Sequence, residues 1–219
     1  MSVRETFEGQ LNELKSELLA LGKLAESALN DAISALKEQD RDKALKIIDN
    51  DYKINDLEDE INEKTTWMIA KQQPVAGDLR RLITTLKIAT DVERVGDLAV
   101  NIAKSVIRIG EEPFIKPLEE IPKMAEIAQK MINNVLKAYY EEDVAAAKEI
   151  ADVDDEVDRL NGKLIQELLE IMIERPESIR QITQLTFVCR DIERVADHAT
   201  NISESIIYLV KGKRYDLNS

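Results

Sequence analysis

Little in this sequence punctuates the chain or ties it together. Seven glycines and five prolines in 219 residues leave few positions for turns, so long elements with few connections are expected. The single cysteine, Cys189, excludes an internal disulfide and a thiolate zinc centre, and it agrees with a reducing compartment. Following Val188 on an apolar helical face, it reads as a small buried side chain. The single histidine, His198, is too few for the paired Glu-x-x-His motifs of di-iron bundles, and no serine or cysteine has an evident histidine base. Aromatics make up 4% of the chain; Trp67, Tyr139 and Tyr140 read as packing or helix-end anchors. No segment approaches the roughly 20 uncharged apolar residues that span a bilayer. Met1 to Phe7 lacks the apolar run of a secretory signal, so a cytoplasmic location is expected. Positive charge is also short. Thirty Lys and Arg face 43 Asp and Glu, a net charge of −13. That excludes nucleic acid and anionic lipid as ligands, because both need a basic surface, and it suits a cation or a basic protein surface.

What is abundant is aliphatic and charged: 44% of residues are hydrophobic and 33% charged, the balance of long helices packed on one another. The stretch Asp91-Val92-Glu93-Arg94-Val95-Gly96-Asp97-Leu98-Ala99-Val100-Asn101-Ile102 returns 100 positions later as Asp191-Ile192-Glu193-Arg194-Val195-Ala196-Asp197-His198-Ala199-Thr200-Asn201-Ile202. Around the first copy Ile88, Val92, Val95, Ala99, Ile102, Val106 and Ile109 alternate steps of four and three. Val188, Ile192, Val195, Ala199, Ile202, Ile206 and Leu209 do the same around the second, so each copy is a helix with a buried stripe. Ahead of it, Leu11 to Ala32 marks a first helix ending near Leu36, and Asp40 is the N-cap candidate of a second, which runs to Gln73-Pro74. The third begins at residues 75–78 and ends near Gly110. The second half repeats this plan: a helix from Met124 to residues 139–143, another over 144–174, and a third after Pro176. Sliding one half along the other places Asp51 on Asp154 at an offset of 103 and Glu93 on Glu193 at 100, so three residues differ at an interhelical turn. The reading is all-α: two homologous antiparallel three-helix bundles in tandem, residues 1–110 and 123–219, joined by a proline-rich linker over 111–122.

Glu93, Asp97 and Asn101 fall on one row of the third helix, off its buried stripe, and Glu193, Asp197 and Asn201 repeat the row. Asp51 with Asn55, and Asp154 with Asp158, have the same spacing on the preceding helix. Like charges four residues apart repel on a helix. If the antiparallel helices turn these rows toward each other, however, four oxygen-bearing side chains converge in each half. All the donors are oxygens, so the fitting cations are magnesium, calcium, manganese or iron, divalent or trivalent, with oxygen-ligated zinc also admitted. The metal candidates are Asp51, Asn55, Glu93 and Asp97 in one half and Asp154, Asp158, Glu193 and Asp197 in the other. Asn101, Asn201, Arg94 and Arg194 stand around them. His198 shares a face with Arg194, turned away from the row, and is not expected to be a ligand. The bland reading of the same pattern is a solvated acidic face.

Several of these residues make the chain resemble the PhoU family. They are Arg4 and Phe7, Asp51-x-x-Ile54-Asn55, Gln73-Pro74-x-Ala76-x-Asp78-Leu79-Arg80, Glu93-Arg94-x-Gly96-Asp97 with Asn101-Ile102-Ala103, and Glu193-Arg194-x-x-Asp197-His198-Ala199-x-Asn201-Ile202. The resemblance covers essentially the whole chain, duplication included. It implies a cytoplasmic accessory protein of high-affinity phosphate uptake, repressing phosphate-starvation signalling by linking the ATPase subunit of the phosphate ABC transporter to a sensor histidine kinase. It also implies homodimers and multinuclear metal sites on the acidic rows. Asn55 departs from the expected carboxylate. Gln181 stands where the first half has Arg81, and Ser178 where it has Asp78. The expectation is therefore a metal-binding, non-enzymatic regulator, with a metal-independent helical scaffold as the alternative. A two-metal phosphate hydrolase ranks third, lacking an evident base or phosphate-binding loop.

Overall fold

A computed structural model describes residues 3–217; the readings placed on residues 1–2 and 218–219, the outer ends of the two repeats, lie outside it. Every regular element described is helical. The order is α1 (Val3–Glu38), α2 (Arg41–Asn50), α3 (Tyr52–Gln72), α4 (Ala76–Ile109), α5 (Glu120–Glu141), α6 (Val144–Ala151), α7 (Asp154–Glu174), a 3-10 turn (Pro176–Ser178) and α8 (Ile179–Lys211). Local chemistry sets the ends. Asp40 accepts the Lys43 amide at 2.9 Å, and Asp143 accepts those of Ala145 and Ala146 at 2.8 and 3.1 Å, capping α2 and α6. Gly110 and Gly212, both at positive φ, close α4 and α8.

The middle helix of each repeat, expected unbroken over residues 41–73 and 144–174, is in two pieces. At Asp51 the amide reaches back three residues to Ile48 O (3.4 Å), and Ile54 N does the same to Asp51 O (2.9 Å). Val153 and Glu156 repeat this with Ile150 and Val153 at 3.2 and 3.1 Å. One turn of tighter bonding kinks the helix without glycine or proline. Each repeat is therefore a three-layer bundle with a jointed middle helix, and the joint lies directly at the first metal-candidate aspartate.

The two stripes are the centre of the molecule. Ile88, Val92, Val95, Ala99, Ile102, Val106 and Ile109 are all buried, as are Val188, Ile192, Val195, Ala199, Ile202, Ile206 and Leu209. α4 and α8 lie against each other and run antiparallel, since Arg80 reaches Leu209 O and Asp91 reaches His198. α1 and α5 make a second contact between the repeats, where Gly22 lies against Leu136 with no room for a Cβ. The first part of the linker is pinned from both repeats. Gln39 donates to the carbonyls of Gly110 and Glu112 (3.0 and 2.8 Å), while Gln181 accepts from Ile115 N at 2.8 Å and donates to Pro113 O at 3.2 Å. Gln181 thus does linker work where Arg81, its counterpart, pairs with Asp78 and Glu142.

Cys189 is buried, and burial pushes its thiol up to about 12, so it is inert packing. Tyr139 is buried with its hydroxyl on Thr85 (2.9 Å). Trp67 and Tyr140 are about half exposed, so neither is core packing; Tyr140 stands one residue before the end of α5, the place of a helix-end anchor, and Trp67 carries Lys71 over its ring. No described helix is long and apolar enough to cross a membrane.

Candidate functional site

Close approach of α3 to α4 creates the first acidic face. A Cβ on Gly96 would meet Ile54 Cδ1 at 2.8 Å and Cγ2 at 3.2 Å, so glycine is what lets the helices approach. In the second repeat the equivalent pair is Ala196 and Val157, so a methyl is added on one helix and one removed from the other. The joint then places Asp51 and Asp154 at the N-terminal ends of α3 and α7, facing α4 and α8.

The acidic side chains of each repeat act on one another electrostatically. Asp154 is pushed up to about 6, first by burial and then by Asp197, Asp158 and Glu193. Burial raises Glu193 and Asp197 as well, each with help from Asp158. In the first repeat burial raises Asp51, with Asp97 adding to it, and raises Glu93, with Asp97 again the strongest adverse charge. Eight candidates thus fall into two groups of four, one per repeat, with Asn55 joined to its group by a 3.4 Å bond to Asp51 Oδ2. Asp51 Oδ1, Asn55 Oδ1, Glu93 Oε2 and Asp154 Oδ1 are buried with no hydrogen-bond donor. Such orphaned acceptors call for a donor or a cation.

In type, the donors fit a hard cation. Their positions are looser than a coordination shell: among the described residues, no three His, Cys, Asp or Glu side chains come together closely enough to hold a metal ion. Arg94 borders the first row. It bonds Asp97 at 2.7 Å and lies 3.4 Å from Glu93 Oε2, partly neutralising the first row from its solvent side. Arg94 is therefore a direct partner of the carboxylates, whereas Arg194 acts on Glu193 and Asp197 through space. Asn101 is exposed at the end of its row; Asn201 lines an open cavity of ≈ 410 Å³ with Thr90, Asp91 and Glu204.

His198 is off the row, as its position on the helix implied, and its partner went unread in the sequence. Its Nδ1 lies 2.9 Å from Asp91 Oδ1, across the α4–α8 seam between the repeats. Only the inter-repeat packing brings the two together. The position equivalent to His198 is Leu98. Asp191, the counterpart of Asp91, is buried and pushed up to about 6 by that burial, against the pull of Arg194 and Arg190. A second network also escaped the sequence reading. Arg4 bonds Asp78 (2.5 Å) and Glu8 (2.7 Å), and Arg81 and Lys15 both reach Glu142 (3.4 and 3.0 Å). Arg4 and Asp78 of the family pattern therefore fasten the start of α1 to that of α4.

The PhoU domain model matches the chain twice, over residues 18–106 and 121–206. The phosphate-specific transport system accessory protein PhoU homolog of Clostridium acetobutylicum is 45% identical over 216 residues, covering 98% of this chain and 99% of its own. That of Aquifex aeolicus is 39% identical, covering 93% and 92%. The crystal structure of PhoU from Pseudomonas aeruginosa superposes with a TM-score of 0.89 at 36% identity, covering 94% of this chain and 100% of that one. The phosphate transport system regulatory protein PhoU from Streptococcus pneumoniae gives 0.91 at 30% identity, covering 96% and 99%. With both repeats matched and the fold shared from end to end, the chain belongs to the PhoU family.

Proposed function

We propose that this protein is a non-catalytic regulator of phosphate uptake: a cytoplasmic helical adaptor that links a phosphate ABC transporter to a sensor histidine kinase and represses phosphate-starvation signalling, working as a homodimer. One observation carries this reading. The correspondence with proteins named as accessory or regulatory components of phosphate transport runs over both repeats and nearly the full length of each chain. Purified protein should bind the transporter's ATPase subunit or the kinase's cytoplasmic portion, and rising salt should weaken the complex, because the surface is strongly acidic. Absence of binding to both at low salt counts against the adaptor reading.

A cation-loaded form of the same adaptor is the second reading, and the orphaned buried oxygens favour it. Asp154, Asp158, Glu193 and Asp197 would hold one site, and Asp51, Asn55, Glu93 and Asp97 the other. A bound cation supplies positive charge that reverses their mutual repulsion. Asn55 is a neutral donor and Arg94 already occupies Asp97, so the first site is the weaker. Elemental analysis of protein purified without chelator or affinity metal tests this reading. Glu193→Ala with Asp197→Ala should remove the tighter fraction and leave the fold intact. Full metal content in that variant, or none in the wild type, overturns it.

A further inference from the structure

A groove lies beside each break of the middle helix. The first, of ≈ 370 Å³, lies between α1 and the α2–α3 joint; its floor includes Leu24, Ala28, Ile47 and Ile54. The second, of ≈ 610 Å³, is built from the equivalent positions of α5 and α6, with Ile127, Met131 and Ile150 on its floor. The floors match and the walls do not. Lys46 and Lys53, two turns apart on the jointed helix, line the first groove; Glu149 and Glu156 hold those positions in the second, whose other charged lining residues are Lys130, Lys137, Glu141 and Asp143. Lys43 stands with them, where the second repeat has Ala146. Lys46 and Lys53 are exposed and make no ion pair among the described residues, whereas Lys43 is held by Ser34 at 2.7 Å. Asp31 and Asp51 are the groove's carboxylates.

Two lysines with no ion pair among the described residues, Lys53 lying over the Tyr52 ring at 5.9 Å, are conspicuous beside an apolar floor on a molecule of net charge −13. We propose that the first-repeat groove docks an acidic amphipathic helical segment of a partner protein, and that the second-repeat groove rejects it. Apolar side chains of the segment enter over Leu24 and Ile47, while its carboxylates meet Lys46 and Lys53, the helix-in-groove mode. In the second groove four carboxylates, Glu141, Asp143, Glu149 and Glu156, outnumber two lysines, so discrimination comes from repulsion there. An apolar floor suits a side chain, whereas a small inorganic anion would use only the lysines. This inference does not rest on the phosphate reading, and its test measures no phosphate response.

The probe is a short fluorescently labelled peptide with leucines at helical spacing and glutamates between them, titrated by anisotropy into the full chain. Wild type should bind one peptide. Lys46→Glu with Lys53→Glu, which installs residues the second repeat already carries at these positions, should weaken binding by about tenfold or more with the circular dichroism melt unchanged. Glu149→Lys with Glu156→Lys should raise the stoichiometry from one to two. Leu24→Asp should abolish binding although both lysines remain. Unchanged affinity in the lysine variant, no saturable binding by wild type, or equal competition from inorganic phosphate would each overturn the proposal.

Discussion

Asp154 sits where burial and four neighbouring carboxylates act in the same direction. With its pKa raised from 3.8 to about 6, the folded chain keeps this proton over a pH range in which the unfolded chain has released it. The associated stability is complete below the unfolded value and is lost as pH rises through about 6. Chelated protein should therefore lose stability between about pH 4 and 6. Asp154→Asn removes the repulsion without removing a hydrogen-bonded partner. Solvent still reaches the site and trims the gain to about 1 kcal/mol, so the variant should melt roughly 2–4 °C higher than wild type at pH 7 and no higher at pH 4. Equal melting temperatures at both pH values would mean that the row is solvated. The spacing of Asp51, Glu93 and their repeats was legible, because position on a helix follows directly from residue number. The Asp91–His198 bond was not: it crosses two antiparallel helices from different repeats, and neither residue's own neighbours announce the other.

Among the elements, the pairing of α3 with α4 is the contact on which the acidic face depends. Gly96→Ala forces a methyl into Ile54 and should cost about 1–3 kcal/mol. Ile54→Val alone should cost about 0.5–1.5 kcal/mol. The double variant recreates the pairing of Ala196 with Val157 and should be more stable than the sum of the two, by denaturant unfolding; simple additivity would mean the helices do not meet there. Val95→Asp places an unpaired charge in a fully buried position and should cost about 4 kcal/mol or more, read as loss of the cooperative melt. The all-α class, the duplication and both buried stripes were readable because amphipathic period and cap chemistry are local. The breaks at Asp51 and Val153 were not, since a single turn of tighter bonding shifts no apolar residue out of phase. The grooves beside them were hidden for the same reason. Gln181 shows a further limit, for its departure from arginine was visible but its linker partners lie over sixty residues away.

At the scale of the molecule, the −13 charge and the two acidic rows bear on the same question: whether the adaptor works with or without a cation. If it is loaded, manganese or magnesium should raise the melting temperature in proportion to the logarithm of concentration above Kd, and Glu193→Ala with Asp197→Ala should flatten that slope. A rise of equal size in wild type and variant would mark only general charge screening. The regulatory role is the central claim and stands apart from the metal. Expression of a phosphate-starvation reporter in phosphate-rich medium, in cells lacking this protein, tests it most directly. The account predicts high expression that falls when the wild-type chain is restored, and expression as low in the deletion as in the parent would contradict it.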